Sequence, residues 1–163
     1  ASGDITPGTT ILEAIEDAVS ADTVVYYDRF GRFDQVADVG IVVVGEAPYA
    51  EGVGDRADLT LSEQDIEVIN QVRVKSEKLI VILISGRPMI VTEHIGWLDA
   101  FVGAWLPGTG GQGVADVLFG DYPFTGKLPY TWPLSMDQIP FDFDDSTTTP
   151  LFPFGYGLDT EGE

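Results

Sequence analysis

The 163-residue chain has the length of one domain and a strongly acidic composition. Its 27 aspartates and glutamates against 8 lysines and arginines give a formal net charge of −19. That balance argues against a nucleic-acid backbone or an anionic membrane as the partner, because both are bound through basic side chains. Hydrophobic residues make up 44% of the chain and charged residues 21%, as in ordinary globular proteins, so we expect a folded domain whose acidity serves solubility.

Side chains that bind metals or form disulfides are scarce. No cysteine is present and His94 is the single histidine, so disulfides and thiolate metal sites are excluded and carboxylates remain as the main metal ligands. No apolar stretch approaches the ~18 residues of a transmembrane helix. The first ten residues lack the basic and apolar regions of a signal peptide. We therefore predict a soluble chain, and a signal, if the protein has one, lies upstream.

The first predicted elements are a helix and two strands. Thr10 and Glu13 form a capping-box pattern ahead of apolar residues on one helical face, which predicts a helix of about ten residues. Residues 23–27 (TVVYY) predict a short strand. The β-branched run 39–45 (VGIVVVG) is typical of a buried parallel strand.

The same alternation continues along the chain. Ser62 and Asp65 predict the start of a second helix, and three further elements follow: strands at 78–86 and 99–105, and a helix at 111–120. Alternating helices and strands form parallel sheets with right-handed crossovers. We therefore predict an α/β fold, a three-layer α/β/α sandwich with a mostly parallel, flavodoxin-like sheet.

From about Asp121 the composition changes to proline and aromatic residues. This change predicts a closing strand followed by an extended C-terminal tail that wraps the surface. Neither an internal repeat nor a clean linker is visible, so residues 1–163 are predicted to form one domain.

Three loops follow predicted strands, at the edge where ligands bind in open α/β sheets. They are the acidic loop 45–55 (GEAPYAEGVGD), residues 85–89 (SGRPM) and residues 105–113 (WLPGTGGQG). The glycine-rich third loop lacks the lysine and hydroxyl pair of a phosphate-binding loop, so a tight turn at a helix start explains it better. Arg87 in the second loop either binds a ligand carboxylate or, as the commoner case, pairs with a neighbouring acid.

The single histidine and the tryptophans have simple structural explanations. His94 has no evident nucleophile or metal partner in its sequence surroundings, and we expect a surface or packed side chain. Tryptophans can stack on sugar rings, but those of this chain lie in apolar stretches, so we expect core packing for each. They are Trp97, Trp105 and Trp132.

Carboxylates of the tail and of the acidic loop leave two chemical possibilities. The tail acids lack the spacing of a calcium-binding loop, so we expect a solvated acidic turn at Asp142, Asp144 and Asp145. A glutamate of the acidic loop can serve as a general acid if burial and its neighbours raise its pKa toward neutrality. Exposed loop acids are common, however, and the residue types alone leave both explanations open.

Four sequence blocks resemble a known family in content and in order. They are residues 45–55, 83–91 (LISGRPMIV), 100–133 (from AFVGAW to PYTWP) and 151–158 (LFPFGYGL). Together they resemble the C-terminal α/β sandwich domain of glycoside hydrolase family three. The similarity runs from about Ile41 to Leu158 and is closest to β-glucosidases and β-glucan exohydrolases, which release glucose from the non-reducing ends of β-1,3- and β-1,4-linked glucans.

The resemblance implies a two-domain retaining enzyme without a cofactor. A TIM-like barrel, expected N-terminal to residue 1, carries the aspartate nucleophile and much of the glucose pocket, and the sandwich domain lends the general acid/base. In members with the pattern glycine-glutamate-x-proline-tyrosine-x-glutamate, that acid/base is the second glutamate, which here is Glu51. Retention requires two carboxyl groups about 5 to 5.5 Å apart, and no second carboxylate of this chain is marked as the nucleophile.

Further expectations concern the neighbours of Glu51. Tyr49 is a candidate substrate contact, Glu46 a structural hydrogen-bond acceptor, and Asp55 and Asp58 are expected to shape the loop. Some relatives carry histidine where this chain has Ala47, which puts any contact from that position in doubt. Because polymeric glucan lies outside the cell, the resemblance implies an extracellular or periplasmic protein.

Two other classes compete with this interpretation. One is a non-catalytic module, either an acidic scaffold or a carbohydrate-binding domain in which Tyr49 and Trp105 contact glucan. It would bind glucan by itself and would be indifferent to Glu51→Gln. The other is a response-regulator-like domain, which requires acidic residues at a first strand end and a lysine at a late one, and the predicted strand ends give no such set.

Overall fold

Residues 6–49, 52–141 and 148–160 are described by the structure, a computed structural model. Helices and strands alternate along the chain, as predicted. In order they are α1 Ile11–Ala18, β1 Ala37–Gly45, α2 Glu63–Arg73, β2 Ser76–Ile84, α3 Thr92–Ile95, β3 Ala100–Trp105 and α4 Gly111–Phe119, followed by the short 3-10 helix Met136–Gln138.

The three strands form a parallel sheet in the order β1-β2-β3. Val81 at the centre of β2 pairs with Val42 of β1 and with Phe101 of β3, and its side chain belongs to the main core. The next residue, Ile82, points to the opposite face and is also fully buried. A central strand buried on both faces is characteristic of parallel sheets covered by helices, and the predicted α/β class is confirmed.

Side chains of α2 and of the loops after β2 complete the main core. Its fully buried members from outside the sheet include Ile69 of α2, Met89, Val91 and Trp132. The indole Nε1 of Trp132 donates to the Met89 carbonyl at 2.7 Å, which satisfies the one polar group that this large side chain buries. The core-packing prediction is thus confirmed for Trp132.

The two other tryptophans are partly buried against the same core. Arg73 places its guanidinium carbon 4.2 Å from the ring centroid of Trp97, and His94 meets that ring edge-on at 6.0 Å. Trp105 packs against Tyr130 and Trp132. Core packing is therefore confirmed for both tryptophans, and His94 is a packed histidine, as expected.

Both predicted helix starts are capped as the sequence indicates. The Thr10 hydroxyl accepts a hydrogen bond from Glu13 N, and Glu13 Oε2 accepts one from Thr10 N at 2.8 Å, so the capping box is complete. Ser62 Oγ accepts from Asp65 N at 3.1 Å at the start of α2. α1 spans 8 residues, somewhat fewer than predicted.

Two predicted strands are absent from the described residues. Residues 23–27 form neither helix nor strand, and Val24, Tyr26 and Tyr27 are exposed. β-Branched and aromatic residues favour a strand only where a neighbouring strand completes the hydrogen-bond ladder, and within the described sheet β1 pairs with β2 alone. The closing strand predicted after Asp121 is reduced to one isolated bridge between Trp132 and Phe152.

The tail otherwise follows the prediction of an extended C-terminal segment. Described residues 121–141 and 148–160 contain one short 3-10 helix and no strand. Leu151 and Phe152 hold the tail to Trp132 through backbone hydrogen bonds of 2.8 to 3.3 Å. The acids Asp142, Asp144 and Asp145 lie outside the described residues, so the expectation of a solvated turn stays a prediction.

A surface ion pair at the β2–β3 crossover supports a pH prediction. Asp99 accepts from Lys78 Nζ at 2.8 Å and from Leu79 N at 2.9 Å, and the Lys78 hydrogen bond is the main cause that lowers the pKa of Asp99 from 3.8. A lowered pKa in the folded state stabilises the fold above the unfolded value, and this contribution is lost as the pH falls through the folded value. Asp99→Asn should therefore lower the free energy of unfolding at pH 7, with a difference that shrinks below pH 3.8.

Urea unfolding of the chain at several pH values measures this difference. Asp22→Asn removes an exposed carboxylate in a turn and controls for the change in net charge. A destabilisation by Asp99→Asn that is constant from neutral to acidic pH would contradict the assigned cause.

Candidate functional site

The three predicted loops meet at one edge of the sheet. β1, β2 and β3 are parallel and end at Gly45, Ile84 and Trp105. Backbone hydrogen bonds continue just beyond the strands, from Glu46 N to the Ile84 carbonyl and from Ser85 N to the Trp105 carbonyl, both at 3.1 Å. A β-carbon on Gly45 would overlap the Ile84 carbonyl oxygen, so the close approach of the two chains at this edge depends on glycine.

A buried carboxylate occupies the end of β1. The Glu46 side chain is 3% exposed, and its Oε1 accepts from Arg87 at 2.7 Å (Nη2) and 3.1 Å (Nε). Arg56 Nη1 approaches the same oxygen at 3.4 Å. The hydrogen bond to Glu46 raises the pKa of the Arg87 guanidinium above its ordinary value. Arg87 thus pairs with a neighbouring acid, and Glu46 is a structural acceptor, as the sequence predicted for both.

The second oxygen of Glu46 is a buried acceptor. Oε2 has no hydrogen-bond partner within residues 6–49, 52–141 and 148–160. Because a carboxylate oxygen removed from water loses several kcal/mol of hydration unless it is bonded, on the order of the cost of an unpaired buried polar group, Oε2 is suited to bind a donor from outside the described residues.

Tyr49 is held against Arg87 at the exposed rim of the site. The Arg87 guanidinium carbon lies 4.9 Å from the Tyr49 ring centroid, a cation–π distance. Tyr49 is 43% exposed, so the residue lies at the surface of the domain. Glycines flank the ring on two sides, since a β-carbon on Gly54 would overlap it and one on Gly86 would lie 2.9 Å from its hydroxyl.

Glu51 and Ala50 lie outside the described residues, so the role of Glu51 stays a prediction. The described residues just after them form a turn in which Asp55 N donates to the Gly52 carbonyl at 3.2 Å. Asp58 Oδ1 accepts from Thr60 N at 2.9 Å, and this bond lowers the pKa of Asp58. The Asp58 side chain therefore shapes the loop as expected, and Asp55 contributes its backbone N–H to the turn, so a role of its side chain stays a prediction.

The glycine-rich loop 105–113 serves backbone packing. Gly111 begins α4 against the start of α1, where a β-carbon would overlap the Thr10 carbonyl, and Gly111 N donates to the Thr9 carbonyl at 2.9 Å. Gly108 has φ +59, a conformation that favours glycine. These contacts agree with the structural explanation of the loop and leave phosphate binding without support.

Sequence reasoning missed Arg56 and Leu106. Arg56 is the only basic residue in 45–58, and this isolated charge among acids was the available signal for its pairing with Glu46. Leu106 is 71% exposed beside Gly86, and the preceding Trp105 adopts a left-handed backbone with φ +54. No sequence pattern indicates that conformation, which is rare for a bulky residue.

Metal-binding clusters and membrane-spanning helices are both absent from the described residues. Residues 6–49, 52–141 and 148–160 contain no group of three or more histidine or acidic side chains placed to hold a metal ion. In the same part of the chain, no helix has both the length and the apolar character needed to cross a membrane.

Comparison with known proteins supports the resemblance found in the sequence. The chain is 34% identical to a periplasmic β-glucosidase of Salmonella typhimurium over 90% of its length, and 34% identical to a lysosomal β-glucosidase of Dictyostelium discoideum over 80%. Among solved structures, the exo-1,3/1,4-β-glucanase of a Pseudoalteromonas species matches with a TM-score of 0.84 and 36% identity over 93% of this chain.

The chain spans only a small part of these proteins. It covers 23% of the Salmonella protein, 17% of the Dictyostelium protein and 20% of the Pseudoalteromonas chain. The model of the glycosyl hydrolase family 3 C-terminal domain matches residues 1–160. This chain therefore belongs to the family of glycosyl hydrolase family 3 C-terminal domains.

Proposed function

We propose that this chain is the C-terminal domain of a larger retaining glycoside hydrolase that removes terminal β-D-glucosyl residues from β-glucans or oligosaccharides. In this proposal Glu51 is the general acid/base, and a TIM-like barrel N-terminal to residue 1 supplies the aspartate nucleophile. The names of the relatives, β-glucosidases and an exo-1,3/1,4-β-glucanase, support the substrate class. The partial coverage of those relatives supports a further domain.

One structural observation carries the proposal. Residues on both sides of Glu51 in the sequence, Glu46 and Arg56, are tied together and to Arg87 at the carboxyl edge of the sheet. In open α/β sheets this edge is where ligands bind. The described residues on both sides of Glu51 thus anchor the acidic loop at the edge where a pocket shared with a neighbouring domain is expected.

The proposed chemistry assigns two successive roles to Glu51. Its carboxylic acid first protonates the glycosidic oxygen while the barrel aspartate attacks the anomeric carbon, forming a glycosyl-enzyme. Its carboxylate then removes a proton from the water that hydrolyses this intermediate, and the product retains the β configuration. No cofactor takes part in this scheme.

Tyr49 is proposed as a substrate contact beside Glu51. The residue is 43% exposed, and an aromatic face or edge is a suitable surface for a sugar ring. Trp105, the other aromatic residue of the carbohydrate-binding alternative, packs against Tyr130 and Trp132. That packing favours the enzyme over a binding module built on Tyr49 and Trp105.

We further propose an extracellular or periplasmic location. The substrate class supports it, since polymeric glucan lies outside the cell. Of the two β-glucosidases compared, one is named periplasmic and the other lysosomal, and both names denote compartments outside the cytosol.

The isolated chain and the full-length protein should differ in activity. We expect the chain alone to fold but to show no turnover of aryl β-glucosides and weak binding of laminari-oligosaccharides, because the nucleophile and most of the pocket are elsewhere. The full-length protein should hydrolyse the same substrates and release the β anomer first. Turnover assays, calorimetry and proton NMR of the initial product measure these properties, with circular dichroism as the control for folding.

Two results would contradict the proposal. Turnover by the isolated chain that is abolished by Glu51→Gln would show that no barrel is needed. Glucan binding by the isolated chain as tight as that of the full-length protein, and unchanged in Glu51→Gln, would identify a binding module.

A further inference from the structure

The Tyr49 ring lies between two loops at the site edge, where three residues surround it. A β-carbon on Gly54 would overlap ring atoms Cδ2 and Cε2, and one on Gly86 would lie 2.9 Å from the hydroxyl oxygen and 3.9 Å from Cζ. The Arg87 guanidinium carbon stands 4.9 Å from the ring centroid. The ring therefore contacts the later part of its own loop, at Gly54, and the loop that follows β2, at Gly86 and Arg87.

These contacts close a short span of the acidic loop. Only residues 50–53 separate Tyr49 from Gly54 in the sequence, and Glu51 is among them. The same ring joins the span to Arg87, whose guanidinium is fixed on the buried Glu46 carboxylate at 2.7 Å. Both ends of the span are thus connected through one ring to the end of β1.

We propose that Tyr49 is the positioning residue of the acid/base, and that Gly54 and Gly86 are required because they form the seat of its ring. This inference rests on the proposed role of Glu51. Tyr49 is absent from the main core cluster and is 43% exposed, so its ring contributes local order more than core stability. Proton transfer needs the acid within hydrogen-bond reach of the leaving oxygen, and displacement by about 1 Å can cost on the order of a hundredfold in rate.

The backbone of Gly54 allows a clean test. Its φ lies outside the region that only glycine adopts readily, so Gly54→Ala adds a methyl group against the Tyr49 ring without backbone strain. Gly126 is an exposed loop glycine whose added β-carbon would meet no atom within 4 Å, and Gly126→Ala is the matched control.

The experiment is a double-mutant cycle in the full-length protein, with kcat/KM measured on aryl β-glucosides of poor and good leaving groups. Gly54→Ala should lower kcat/KM about 10- to 100-fold on the poor leaving group and much less on the good one. In a Tyr49→Ala background the same change should cost less than about twofold, because the clashing ring is gone. Gly126→Ala should have no effect.

A second cycle uses the other side of the seat. Gly86→Ala places its methyl group against the Tyr49 hydroxyl. Tyr49→Phe removes that hydroxyl, so it should restore most of the kcat/KM that Gly86→Ala loses. It should not relieve the loss caused by Gly54→Ala, whose contact is with ring carbons. This second pair keeps the test decisive if Gly54→Ala lowers the yield of folded protein.

Specific outcomes would overturn the inference. The first is that Gly54→Ala lowers kcat/KM equally in the wild-type and Tyr49→Ala backgrounds. The second is that it lowers kcat/KM equally for poor and good leaving groups. The third is that it lowers kcat/KM no more than Gly126→Ala does. Glu51→Gln is measured in parallel to separate the two proposals. A fully active Glu51→Gln variant refutes the acid/base assignment itself, whereas an impaired Glu51→Gln beside silent glycine variants refutes the positioning role alone.

Discussion

Glu51→Gln in the full-length protein is expected to lower kcat/KM on aryl β-glucosides with poor leaving groups by about 10²- to 10⁴-fold. Glutamine has nearly the same shape but cannot donate a proton to the leaving oxygen, and general acid catalysis contributes about that factor. Substrates with good leaving groups depart without protonation, so the glycosyl-enzyme should still form from them. Turnover and burst kinetics on a series of leaving groups separate the two steps.

A matched control distinguishes this effect from a change in charge. Glu67 lies exposed on α2, and Glu67→Gln should retain wild-type rates on every substrate. If Glu51→Gln also cleaves poor and good substrates at wild-type rates, the acid/base is another residue. Glu46 is then the first to examine, because its buried Oε2 has no partner among the described residues.

Arg87→Met is expected to destabilise the domain by about 3 kcal/mol or more. The substitution leaves the Glu46 carboxylate 3% exposed with Arg56, at 3.4 Å, as its one remaining cation among the described residues. Removing one partner of a buried ion pair typically costs about 3 to 5 kcal/mol, since the other charge stays desolvated. Arg87 is 25% exposed, which favours the lower end of that range. Urea unfolding of the chain measures the free energy.

Two further variants test the cause. Arg56→Met removes the more distant and more exposed arginine, whose side chain is 40% exposed, and should cost about 1 kcal/mol or less. The double variant Glu46→Met/Arg87→Met removes both charges and should recover most of the loss, as replacement of buried pairs by apolar residues often does. If Arg87→Met has the same free energy of unfolding as Arg56→Met, or a higher one, the Glu46–Arg87 pair does not stabilise the site.

Several elements could be predicted because their signals are local. The capping box of Thr10 and Glu13 sets the start of α1, and the β-branched run before Gly45 marks β1. Hydrogen bonds between residues three apart and the period of apolar side chains depend little on the rest of the fold. The family resemblance likewise rests on blocks of contiguous residues, and a family model matching residues 1–160 confirms it.

Predictions that need a distant partner were less secure. Residues 23–27 have strand composition but no strand neighbour in the described sheet, and a strand exists only within a ladder. The pairing of Glu46 could not be predicted for the same reason. Arg87 stands 41 positions away, so the sequence indicated that each side chain would be used structurally without indicating that they bind each other.

The sequence by itself determined the α/β class, the family, the three longer helices and the three strands of the sheet, and the candidacy of Glu51 and Tyr49, because motifs and periodicity are written in neighbouring residues. The tertiary structure decided that Glu46, Arg56 and Arg87 form one charged cluster and that the Tyr49 ring rests between Gly54 and Gly86. These contacts arise where two parallel strands end side by side. Their existence depends on the register of β1 against β2, which only the packed sheet sets.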